Sequence, residues 1–198
     1  MLFVVARDLV KLTIMIIEYL NGIHSMSDEL MEYLSRVVQH RTFKKKEFLL
    51  REGQVARHIY IISKGMIRCF YTLPDGQEVS ARFMSEGDPV APIVSFFKQV
   101  ESYESLVAFE DCEVFSLSFE DMQYARKTYK EFNYIAFELI MRNYLKAEER
   151  LLIIRRRTAK ERFALLRSGW PQLLQRVPKK LIASYIDLAP SQISRKGV

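Results

Sequence analysis

One stretch of the sequence has residue types and spacing that could act on another molecule. In Lys179–Arg195, the residues Leu181, Ile182, Tyr185 and Ile186 form an apolar helix face around small Ala183, and Leu188 follows a turn. Pro190 stands where a second helix would begin, a position at which its missing N–H costs nothing. Ile193 is that helix's first inward residue, so Ser191, Gln192, Ser194 and Arg195 face out. This is the layout of a helix-turn-helix that reads DNA. The charge agrees. From Lys146 onward there are 13 Lys/Arg and 4 Asp/Glu, a net +9, whereas residues 1–145 carry a net −3. A basic end on a mildly acidic body is the footprint of a nucleic-acid-binding end. A merely solvated helix face would give the same charge.

Other chemistries find little support. No nucleophile–base pair, metal-ligand set or phosphate loop stands out, and the adjacent Glu104 and Ser105 read as chance composition, so an enzyme is not expected. Cys69 and Cys112 have neither disulfide-framework nor metal-ligand spacing. Two buried free thiols in a reducing cytoplasm are expected. His24, His40 and His58 read as surface or helix-end residues.

The elements that position these residues can also be read. Glycines at 53, 65, 76 and 87 recur at spacings of 12, 11 and 11. Short runs rich in β-branched and aromatic residues lie between them, and Pro74-Asp75-Gly76 is a tight turn. "SLVAFEDCEVFSLS" adds two strands. This rhythm predicts a small all-β roll. Helices flank it. Ser27 is an N-cap, with Leu30 three residues on, so no capping box forms. Ser118 opens another helix with acids in its first turn.

No Gly or Pro occurs from Tyr129 to Arg157. Within that span Phe137, Ile140, Tyr144, Ala147, Leu151 and Ile154 repeat at 3, 4, 3, 4, 3, the seam of a coiled coil. Two partners would satisfy it, a parallel second copy or the chain's own roll. Both are expected, the roll over the first half and the second copy over the later half. Thr158 and Glu161 form a capping box and start a new helix, which Gly169 and Pro171 end. The N-terminus is apolar, but Arg7, Asp8 and Lys11 interrupt it, so an amphipathic helix is expected and neither a membrane span nor a signal peptide. Met15 is an alternative start to Met1.

A β roll, a long dimer helix and a terminal helix-turn-helix together resemble the Crp/Fnr family of transcription regulators. The stretches "FKKKEFLLREGQVARHIYIISKGMIRCFY", "DGQEVSARFMSEGD" and "LLQRVPKKLIASYIDLAP" resemble members common in Bacteroidetes. The likeness runs from about Glu18 to Arg195. It implies an α+β chain: a helical extension (1–25), a cyclic-nucleotide-binding-like jelly roll (26–130), a dimerisation helix (131–157) and a winged-helix-like helix-turn-helix (158–198). It implies a cytoplasmic homodimer on a palindromic operator in double-stranded DNA.

The family's ligand cassette maps onto Gly87 and Asp88, then Ser102 and Tyr103 where its members carry Arg and Ser or Thr. Asp88 reaches less far than the family's Glu, Pro89 removes an amide, and "APIVSFFKQV" is the short helix. No Arg lies between Arg82 and Arg126. A buried cyclic phosphate without a cation would be poorly stabilised, so cyclic AMP is not the expected effector. Arg82 could turn into the roll, although a strand Arg more often faces solvent. Two separated Cys do not make an iron–sulfur site, and no pocket His offers a haem ligand. No cofactor is implied. An unknown small-molecule effector and a self-filled roll remain open.

At the reader, the family's base-reading positions fall on Pro190, Ser191, Gln192, Ser194 and Arg195, with Arg suited to guanine and Gln to adenine. Lys179 and Lys180 would bind phosphate and set register. Asp187 replaces the family's turn Gly and tolerates the left-handed conformation. Lys196-Gly197-Val198 stands where members continue with an apolar-basic stretch, so a fraying second helix is expected. A sensor and dimerisation protein whose reader does not work is the alternative.

Overall fold

The computed structural model describes residues 2–156 and 158–189, with the backbone alone for residues 2–12. Helix α1 (Leu2–Ile23) packs against α2 (Asp28–Val37). Ile16, Ile17 and Leu20 of α1 share a buried cluster with Leu30, Tyr33 and Leu34 of α2, so the later turns of α1 belong to the core. Ser27 caps α2 by accepting from the Leu30 amide at 3.3 Å and donates to Glu131 at 2.6 Å.

The roll follows as β1 (Gln39–Phe43), β2 (Phe48–Leu50), β3 (His58–Lys64), β4 (Ile67–Thr72), β5 (Glu78–Met84), β6 (Pro89–Val90), the short helix α3 (Ile93–Lys98), β7 (Ser105–Ala108) and β8 (Cys112–Ser118). Two antiparallel four-stranded sheets face each other, in the orders β1-β8-β3-β6 and β2-β7-β4-β5. Strand alternation decides what fills the roll. On β3, Tyr60 and Ile62 point inward with Ile67, Cys69, Leu106 and Val114. Their neighbours Ile59 and Ile61 point outward onto the flanking helices. The glycine rhythm has a steric reason at Gly65. Its φ is +93°, and a Cβ there would lie 2.5 Å from the Asp111 carbonyl oxygen. Cys69 and Cys112 are both buried and free.

Helix α4 (Phe119–Thr128) is capped by Ser118, which accepts from the Asp121 amide at 3.0 Å. The long helix α5 (Lys130–Ile154) has 25 residues, a length of roughly 38 Å. It rests on the roll and its helices through Phe132, Ile135 and Leu139. The sequence reading laid the first half of the 3–4 seam on the roll, and this is corrected. Phe137 and Ile140 are 56% and 46% exposed, because the residues that pack inward lie on the neighbouring face.

The chain ends its described part with α6 (Ala159–Gly169), α7 (Pro171–Arg176) and α8 (Lys179–Tyr185). Thr158 and Glu161 close the capping box on α6. Pro171 follows that helix, as expected, and is also the first residue of α7, an element that sequence reading passed over. No helix among the described residues is long and apolar enough to cross a membrane.

Candidate ligand cavity and reader unit

The residues matched to a nucleotide cassette cluster around β6, and nearly all are already partnered. Gly87 donates its amide to the Ile62 carbonyl at 2.8 Å, and Asp88 donates its own to Ser85 at 3.0 Å. The Gly87 carbonyl accepts from the Tyr19 hydroxyl at 2.8 Å. Asp88 is buried. One carboxylate oxygen accepts from the Ser85 amide at 3.0 Å and the other from Lys146 of α5 at 2.5 Å. Ser102 is buried too, its hydroxyl donating to the Glu104 carbonyl at 2.7 Å and accepting from the Glu104 amide at 3.1 Å. Tyr103 is largely exposed, at the cavity rim. Gly87, Asp88 and Ser102 are thus engaged within the chain.

Arg82 sits in β5 opposite Cys69, whose side chain points into the roll, so Arg82 points inward as well. Of the two orientations the sequence left open, Arg82 takes the inward one. One guanidinium nitrogen donates to Glu104 at 2.5 Å and to the Ala91 carbonyl at 3.4 Å. Burial alone would weaken its charge, but the neighbouring Cys69 and Glu104 more than offset this and hold the guanidinium protonated. Glu104 is 3% exposed, and burial raises its carboxyl above the usual range while Arg82 pulls it back. Burial pushes the Cys69 thiol up to about 11. The interior therefore holds a cation with its own anion. Sequence reading looks for a missing Arg and sets Glu104 aside as chance composition beside Ser105. The usable signal was an acid standing directly before the short, mostly buried strand β7.

A cavity of about 770 Å³ opens beside this pair, between the roll and α5. Its lining is mostly apolar, and Arg82, Glu104, Asn143, Lys146 and Arg150 supply polar groups. Asn143 donates to the Pro89 carbonyl at 2.7 Å. Among the described residues, buried Arg82 Nε and buried Asn143 Oδ1 have no hydrogen-bond partner. The seam residues Phe137, Ile140, Tyr144 and Ala147 form the outer wall, and Leu151 lies further along the same helix, 37% exposed. Ile154, near the end of α5, is half-buried.

The reader unit has its own small core of Phe163, Leu166, Leu173, Val177, Ile182, Ala183, Tyr185 and Ile186, closed by Met66 and Phe83 of the roll. Strand alternation explains the junction: Arg82 faces the cavity while Phe83 faces Tyr185, with ring centroids 5.7 Å apart. Ser184 accepts from the Ser80 amide at 2.9 Å, and Arg150 donates to the Tyr185 carbonyl at 2.9 Å. Burial pushes the Tyr185 phenol up to about 12. Arg176 binds Glu86 at 2.9 and 3.1 Å and Glu110 at 3.0 and 2.7 Å. Asp187 has φ +56°, the left-handed turn expected of it. Arg162 braces that turn by donating to the Ile186 and Asp187 carbonyls at 3.2 and 2.6 Å. Lys179 and Lys180 are exposed at the start of α8. Pro190, Ser191, Gln192, Ser194 and Arg195 lie outside the described residues.

Residues 40–129 match the family described as the cyclic nucleotide-binding domain. The chain is 29% identical over 89 residues to the anaerobic regulatory protein of Bacillus subtilis, an overlap of 45% of this chain and 37% of that one. It is 27% identical over 178 residues to the transcriptional activatory protein AadR of Rhodopseudomonas palustris, covering 83% of this chain and 72% of that one. Among solved structures, FixK2 from Bradyrhizobium japonicum superimposes with a TM-score of 0.67 at 18% identity, over 80% of this chain and 82% of that one.

Proposed function

We propose that the chain is a Crp/Fnr-type transcription regulator and not an enzyme: a cytoplasmic, homodimeric, DNA-binding protein whose roll does not answer to cyclic AMP. The observation that carries the DNA reading is the joint after α8. That helix buries one face, and Asp187 turns the chain in the left-handed conformation where a second, reading helix would start. The exposed apolar seam of α5 supports the dimer, since a second copy's seam would cover Phe137, Ile140 and Tyr144. The internal partners of Arg82, Asp88 and Ser102 support the absence of a cyclic nucleotide, because each would have to be broken to seat one.

The test is selection of bound sequences from random duplex DNA at low and at moderate salt. A palindrome with half-sites one helical turn apart is expected. Weak binding that is blind to sequence and vanishes with salt would overturn the reading in favour of a sensor and dimerisation protein without a working reader.

A further inference from the structure

The cavity between the roll and α5 holds two polar atoms whose needs are unmet, and they are of opposite kind. Arg82 Nε is a buried donor and Asn143 Oδ1 a buried acceptor, and both residues line the cavity. They flank one stretch of backbone. Arg82 also donates to the Ala91 carbonyl, and Asn143 to the Pro89 carbonyl. A group offering an acceptor to Arg82 Nε and a donor to Asn143 Oδ1, as a primary amide does, would meet both needs. Leaving a buried donor or acceptor unmet is costly, so a ligand that satisfies both is favoured.

The charge beside these atoms chooses among such ligands. Glu104 sits on Arg82 at 2.5 Å and is almost fully buried. An anionic ligand approaching Arg82 would meet a carboxylate already in place, in surroundings where like charges repel strongly. The other cations nearby are also engaged. Lys146 is paired with Asp88, and Arg150 donates to the Tyr185 and Ser80 carbonyls. Arg126 is exposed to solvent.

We propose that this cavity takes an uncharged ligand, an apolar body carrying one amide-like group, and that Glu104 is the residue that excludes anions from it. The proposal rests on the reading that the roll does not take a cyclic nucleotide.

A matched pair of probes tests it: octanamide and octanoate, of the same chain length, titrated calorimetrically into the full chain alongside cyclic AMP. Octanamide is expected to bind about tenfold or more tightly than octanoate, the ratio set by one buried charge-assisted contact. In Glu104→Gln, which keeps the shape, octanoate affinity should rise about tenfold or more because Arg82 is now open to an anion. The double variant Arg82→Gln/Glu104→Gln should lose that gain. Asn143→Leu should weaken octanamide several-fold without changing octanoate binding. A wild-type preference for octanoate, an unchanged ratio in Glu104→Gln with its melting curve intact, or no binding of either probe would each overturn the proposal. Tight binding of cyclic AMP to the wild type would overturn the reading beneath it, whatever the amide does.

Discussion

Two arginines, each held by glutamate, do different work in this molecule. Arg82 lies inside the roll with one carboxylate partner, one weak carbonyl contact and an unmet Nε. Arg176 lies at the edge of α7 and makes four hydrogen bonds to two carboxylates, Glu86 and Glu110, from separate turns of the roll. In the first pair the carboxylate is buried, at 4% exposed, whereas the Arg82 side chain is no more buried than that of Arg176, and its Nε lacks a partner. The second is satisfied and partly wet. A fork to two acids gives geometric precision with modest energy, because water can replace it. The contrast separates a pair that lines the cavity from a fork that ties α7 to two turns of the roll.

The largest expected effect comes from breaking the inner pair on one side. Arg82→Leu strands Glu104 in the interior and should cost about 3–5 kcal/mol of unfolding free energy, measured by urea denaturation. Arg82→Leu/Glu104→Leu removes both charges and should recover most of that loss. If the single variant cost no more than a surface substitution, the two arginines would be alike and the contrast would fail.

Much of this contrast was hidden in the sequence, for a physical reason. The roll, the flanking helices, the Thr158–Glu161 box and the turn at Asp187 were legible because they follow from local chemistry: φ preferences, caps and strand alternation. The partners of Arg82 and Arg176 lie 22, 66 and 90 residues away. No local pattern marks them. The family cassette could not show that Ser102 closes its own loop and that Asp88 binds α5. What spacing cannot give is which helical face the roll takes, and the roll took Phe132, Ile135 and Leu139.

A smaller effect is expected at the outer arginine. Arg176→Ala leaves Glu86 and Glu110 within reach of water, so the loss should be about 1–2 kcal/mol and confined to the joint. The sole tryptophan is well placed to report it. Trp170 lies 6.2 Å from the Tyr185 ring and 5.6 Å from the Lys146 ammonium, at the junction of α6 and α7. Its emission should shift to the red in Arg176→Ala, while the circular dichroism of the roll stays as in the wild type. An unshifted spectrum would mean that Phe83 and Tyr185 hold the reader unit without the fork.

The smallest effect, and the sharpest comparison, is the response to acid, because the two glutamates shift in opposite directions. Hydrogen bonds from Arg176, helped by the Gly65 amide, lower the Glu86 carboxyl below the usual range. The unfolded chain then takes up this proton first. Its contribution is full above the ordinary carboxylate value near 4.5 and is lost as pH falls through the folded value. Burial raises Glu104 above the same value, so the folded chain takes up that proton first and gains stability as pH falls through the raised value. Acidification should therefore first ease the strain inside the roll, above about 4.5, and loosen the joint only below it. Trp170 emission is expected to move to the red below that value in the wild type and to respond less in Glu86→Gln. Above it, the stability gap between the wild type and Glu104→Gln should narrow as pH falls, since a protonated Glu104 resembles the amide that replaces it. Parallel responses at both places would mean that one titration governs the whole chain, and the joint and the cavity would then be a single unit.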